Sequence, residues 1–230
     1  MAAVAGLRGF WSWYQARLVQ QPVRTQVISS GVLWAVGDII AQTVEGKIQK
    51  RSQALRQDGL KGERATAGHD ANLDLERVAR TSLFGFGFVG PVGHFWYEGL
   101  EHLVKDKMKL APNSVRFVGT KVFADTVLFG PIHLLAFFTY MGLASGKTFE
   151  QVKKDIQRDF PPAFMTEGAM WFFVQIANFR LVPVRNQLLV VNLFCILDSA
   201  FLSWVKHQDD APWKRYLNSL VTPGSKSKDD

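Results

Sequence analysis

Thr126-Val-Leu-Phe-Gly-Pro-Ile-His-Leu-Leu-Ala-Phe-Phe-Thr-Tyr-Met-Gly-Leu-Ala-Ser-Gly146 runs for twenty-one residues without a formal charge. Crossing the hydrocarbon layer of a membrane takes roughly 17–25 mostly apolar residues in a helix, and this stretch has that length. Working outward, Thr81–Tyr97 is also uncharged, and Val27–Val44 is interrupted only by Asp38. Pro161–Phe179 is broken only by Glu167, and Asn186–Val205 only by Asp198. A soluble domain can bury one such run as a core helix. Three of them with two weaker companions predict an all-α, polytopic helical membrane bundle of four to five hydrophobic helices.

Bulk composition conceals this pattern. Of 230 residues, 47% are hydrophobic and the mean hydropathy is +0.01, ordinary for a soluble chain. The apolar residues are segregated into blocks, so position says more than the average. The formal charge of +7 suits nucleic acid, anionic headgroups or loops biased by insertion. The basic residues are spread over the loops and form no single stripe, so direct nucleic-acid binding is not expected. Cys195 is the one cysteine and lies inside an apolar block, which excludes a disulfide framework.

The blocks divide the chain into an amphipathic N-terminal segment over 1–26, a helical membrane domain over 27–207 and a polar tail over 208–230. Within the domain, 46–75 is expected to be a mobile loop, since Gly59, Gly62 and Gly68 punctuate a polar, charged stretch. The first acid is Asp38, so residues 1–26 suit either a mitochondrial targeting segment or a surface helix carrying Phe10, Trp11, Trp13 and Tyr14. On a five-span reading, one set of flanking segments holds ten Lys and Arg and the other seventeen. That bias places the long loop and the C-terminus on the cytosolic or matrix side.

Charges near a bilayer centre are costly unless they face a partner or water. Asp38, Glu167 and Asp198, and the Lys121–Asp125 pair spaced four apart on one helical face, are therefore candidates for lining or gating a passage. Structural roles at helix ends compete with that reading. Gln175 and Asn178 share a face; amides there tie helices together or line a pore. His133 reads as a hydrogen-bonded core histidine. Gly85, Gly87, Gly90 and Gly93 let helix backbones approach closely. The Gly85–Gly90 stretch also fits a dinucleotide fingerprint, but lacks the strand–turn–helix context. No catalytic constellation, metal site or cofactor site is expected.

The string Trp171-Phe-Phe-Val-Gln175-Ile-Ala-Asn178-Phe179-Arg-Leu-Val182-Pro183 resembles the signature of the family named for Mpv-seventeen and the twenty-two-kilodalton peroxisomal membrane protein. Further matching pieces follow the family's order: Gly37-Asp38 with Gln42, Gly90-Pro91 with His94, Trp96 and Tyr97, Lys121 with Asp125, and Leu202-Ser203. Gln42 joins the lining candidates with this match. The resemblance covers about residues 10–207. It implies a four-span helical protein of the mitochondrial inner membrane or, alternatively, the peroxisomal membrane. It also implies a weakly selective channel for small solutes that supports organelle homeostasis, mitochondrial DNA maintenance in animals included. The alternative is a non-conducting scaffold or assembly factor. The expected partners are the lipid bilayer, small solutes and, as an open option, further copies of the chain. The chain departs from many relatives at Thr126, where they carry Gln, and at Asp198-Ser199, where they often carry Trp-Asn. The loop after the first block is also longer than in the shortest relatives.

Overall fold

The structure, a computed structural model, describes the backbone of residues 2–59 and 73–206, with side chains outside 2–4, 49–59, 162, 166–167 and 200–206. The described residues form helices joined by short turns, with no strand among them. They make six rods. Helix α1 is Ala2–Gln20 and α2 is Pro22–Gly59. Rod α3 joins Leu75–Phe84, a π turn at Gly85–Val89, Gly90–His102 and a second π turn at Leu103–Lys107. Rod α4 joins Val115–Ala124, a π turn at Asp125–Phe129 and Gly130–Ala144. Helices α5 and α6 are Phe149–Leu181 and Val184–Lys206.

Local chemistry sets the boundaries. Asp74 and Ser114 accept hydrogen bonds from the backbone N–H groups of Arg77 and Phe117, capping α3 and α4. Thr148 and Gln151 form a reciprocal capping box at the start of α5. Gly146, at φ +79°, takes the left-handed conformation that closes α4. Pro183 forces Val182 into an extended conformation, which separates α5 from α6.

All five apolar blocks lie on rods of spanning length. Even α6, with 23 residues, is about 34 Å long at 1.5 Å per residue. By length and composition together, two segments pass a strict test for crossing a membrane: Pro22–Ile48 and Val115–Ala144. The polarity of the bundle is inverted relative to a soluble protein. Phe95, Phe123, Phe173 and Leu181 are exposed, whereas Gln26, His94, Lys121, Asp125, Gln175 and Asn192 are buried. Lipid accepts the first group, and inter-helical hydrogen bonds satisfy the second.

The expectation of a loop over 46–75 needs correction, because α2 continues to Gly59. The stretch after Glu45 lacks an apolar run but is rich in Lys, Gln and Arg, which favour helix without burial. Residues 60–72 and the tail over 208–230 lie outside the described residues.

Helix α2 is the central rod and packs most extensively against α3, then against α6; α4 packs on α5. The glycines explain how α3 comes so close. A methyl group on Gly90 would stand 2.5 Å from Val27 Cα, and one on Gly85 would stand 2.8 Å from the Ser30 carbonyl oxygen. At Gly93 it would meet Leu188 of α6 at 2.7 Å. Gly87 does not belong with them, since a methyl group there meets nothing within 4 Å. The π turn is the reason: it brings Gly85 and Gly90, five apart, onto one face and turns Gly87 away.

The π turns at Gly85–Val89 and Asp125–Phe129 both end at a Gly-Pro pair, Gly90-Pro91 and Gly130-Pro131. Proline lacks an N–H and its ring crowds the carbonyl four residues back. A wider turn immediately before it relieves that crowding. The two rods therefore share a local design.

Candidate functional site

Trp96, Tyr97, Asp125, Gln175 and Asn178, which carry part of the family resemblance, meet inside the bundle. Asp125 opens the π turn of α4, and both its carboxylate oxygens accept hydrogen bonds. Trp96 Nε1 of α3 donates to Oδ1 at 2.8 Å, and Gln175 Nε2 of α5 donates to Oδ2 at 2.7 Å. Gln175 Nε2 also donates to the Tyr97 hydroxyl at 3.0 Å. Asn178 Nδ2 donates to Gln175 Oε1 at 2.9 Å and reaches the Gln187 carbonyl of α6 at 3.5 Å. One cluster thus ties four rods.

Lys121 lies beside this cluster, fully buried, but does not pair directly with Asp125 as its spacing suggested. Its ammonium donates to Glu101 Oε2 of α3 at 2.8 Å and sits 4.6 Å from the centre of the Phe179 ring. Asp125 is already taken by Trp96 and Gln175, so only the longer-range attraction between the two charges remains.

A cavity of about 230 Å³ opens next to the cluster. Its polar wall includes Asp125, Thr126, Gln175, Asp198 and Ser199, with Cys195 between the last two rods. Rings of Trp34, Tyr97, Phe129, His133, Phe137 and Trp171 supply much of the remainder. The Trp171 indole reaches Asp198, whose buried Oδ1 has no hydrogen-bond partner among the described residues. The His133 ring is packed among Trp34, Phe84, Phe88 and Phe129. It makes no hydrogen bond among the described residues, so the expectation of a hydrogen-bonded core histidine is corrected to a cavity ring held by aromatic contacts.

The sequence-derived lining set therefore divides. Asp125, Gln175 and Asp198 are on the cavity wall. The side chain of Glu167 lies outside the described residues, although its neighbour Gly168 is on the wall. Asp38 and Gln42 are elsewhere, in a polar cluster joining α2 to the start of α3. Arg77 Nε meets Asp38 at 2.8 Å and its Nη1 meets Glu45 at 3.0 Å, while Gln42 donates to Asp38 at 2.8 Å. The partner Arg77 comes from outside the apolar blocks, so no apolar run pointed to it.

Sequence reasoning also missed several inter-helical ties. His94 Nδ1 and Gln26 Oε1 are 2.8 Å apart, and Gln26 donates to the Arg185 carbonyl at 2.9 Å. Asn192 donates to Ser30 at 2.8 Å and accepts from Trp34 at 3.2 Å. Gln15 of α1 reaches Asn186 at 3.0 Å. The signal available was the same for each: an amide or imidazole stranded in an apolar block. Away from those blocks, on the exposed start of α5, the Arg158 guanidinium hydrogen-bonds Asp159 and holds its carboxyl below the usual range.

Known proteins are similar to this chain. Residues 142–203 match the model of the Mpv17 / PMP22 family, a segment that includes the Trp171–Pro183 string. The chain is 33% identical to the mitochondrial inner membrane protein Mpv17 of Danio rerio, over 86% of this chain and 97% of that protein. Mpv17 of Mus musculus is also 33% identical, over 86% and 98% of the two chains. Protein sym-1 of Neurospora crassa is 31% identical, over 86% and 99%. No solved structure matches the chain. The apolar rods, the inverted polarity of the bundle and similarity over nearly the whole of these relatives lead to one conclusion: the chain is an integral protein of the mitochondrial inner membrane and belongs to the Mpv17 / PMP22 family.

Proposed function

We propose that the chain passes small hydrophilic solutes across its membrane as a weakly selective channel, and that its role is passage and not catalysis. The observation that carries the reading is the cavity of about 230 Å³ within the bundle, with Asp125, Gln175 and Asp198 on its wall. Helices held together only by packing have no need of acids at that depth, where each is costly. Reconstitution of pure protein in planar bilayers tests the proposal. Conductance is expected, and Asp198→Asn is expected to lower the preference for cations over anions. Electrically silent bilayers defeat the proposal, as does a preference unaltered by Asp198→Asn.

One observation favours a second reading, a non-conducting scaffold. Each oxygen of Asp125 accepts one hydrogen bond, from α3 and from α5 respectively, so that acid acts as a tie between rods. On this reading the lipid-facing surface holds partner proteins or further copies. Co-migration with a large complex in blue-native gels, together with silent bilayers, separates it from the channel.

A further inference from the structure

We propose that the cavity is a binding site for an organic cation: an ammonium compound about one substituted ring in size, held by Asp125 and Asp198 within a box of aromatic faces. The inference deepens the passage reading, since it names the class of solute for the same cavity.

The first argument is unbalanced charge. Two carboxylates are on the wall, and no Lys or Arg is among the described lining residues. The groups that hold Asp125 are the neutral donors Trp96 and Gln175. The nearest cation, Lys121, is committed to Glu101 at 2.8 Å. Asp198 has the neutral Trp171 indole, and its Oδ1 is without a partner among the described residues. His133 is enclosed by rings and forms no ion pair among the described residues. Buried charges are tolerated when paired, and here the pairing charge has to come from an occupant.

The second argument is the wall itself. Trp34, Tyr97, Phe129, Phe137 and Trp171 present π-systems to the same space as the two acids. Ring faces attract ammonium groups, and aromatic enclosures are the usual means of holding alkylated ones. A small hydrated metal ion gains little from such a wall, whereas an ammonium group with an apolar body gains from the rings and the acids together. Size sets the upper bound. An apolar cavity of about 150 Å³ takes up benzene, so about 230 Å³ accommodates one ring with a short substituent.

The test uses the full chain, purified in detergent, and three soluble probes: benzyltrimethylammonium, benzyl alcohol and phenylacetate. Calorimetry reads affinity, and quenching of tryptophan emission reads placement beside Trp34 and Trp171. The ammonium probe is expected to bind saturably at least tenfold more tightly than benzyl alcohol, and phenylacetate not to bind. Asp198→Asn is expected to weaken the ammonium probe tenfold or more and to leave benzyl alcohol unchanged. Equal binding of cation and alcohol overturns the proposal, as does an unchanged ammonium affinity in Asp198→Asn. The wild-type comparison decides the matter even if the variant fails to fold. Saturable binding with silent bilayers would defeat the channel and keep the site; conductance without saturable binding would do the reverse.

Discussion

Replacing Gly90 by Ala tests how the central rods are held together. The added methyl carbon would sit 2.5 Å from Val27 Cα and 3.1 Å from Val27 N, against an ordinary contact of 3.4–4 Å. The obstacle is backbone, which has no rotamer to change, so α2 and α3 must separate by about 1 Å. Overpacking of this kind costs about 1–3 kcal/mol, and separation also loosens the neighbouring contact at Gly85. Alanine returns up to about 1 kcal/mol of helix propensity, which leaves a net loss of about 0–2 kcal/mol. Gly87→Ala is the internal control. It gains the same propensity and meets nothing within 4 Å, so it is expected to be neutral or up to about 1 kcal/mol stabilising. Thermal unfolding in one detergent, followed by circular dichroism and by size-exclusion profile after heating, ranks the two against wild type. A Gly90→Ala protein as stable as Gly87→Ala would refute the close-approach argument.

Three further outcomes are expected. Lys121→Met should destabilise the bundle by about 1–3 kcal/mol, because it leaves the half-buried Glu101 without its partner; adding Glu101→Gln should recover part of the loss in a double-mutant cycle. Gln175→Leu removes donors to Asp125 and Tyr97 and should cost about 1–3 kcal/mol in unfolding assays. Thr148→Ala breaks the capping box of α5 and should cost about 0.5–2 kcal/mol, read as lower thermal stability with unchanged bilayer conductance.

The five rods of the membrane domain were legible because an apolar run is a local property of the chain. The extension of α2 to Gly59 was not, since a polar helix carries no such run and the glycines argued for a loop. At the site, Asp125, Gln175 and Asn178 stood out as polar groups in apolar blocks, but their partners did not. Lys121 and Asp125 look paired at a spacing of four; Glu101, Trp96 and Gln175, which hold them, come from other rods. Likewise Asp38 stood out in its block, while the position of Arg77 decides that it sits away from the cavity. Pairing across rods depends on their rotation about their own axes, which no window of sequence records.

The π turns at Gly85–Val89 and Asp125–Phe129 bear on how relatives should be aligned. Each holds one residue more than a regular turn, so everything downstream is swivelled by about 100° relative to an uninterrupted helix. Deleting a single residue there would leave a plausible helix whose far half faces the wrong way, with Trp96 and Tyr97 carried off their partners. An alignment gap inside either five-residue window therefore signals a rearranged interior, whereas a gap near 108–114 alters only the connection between two rods.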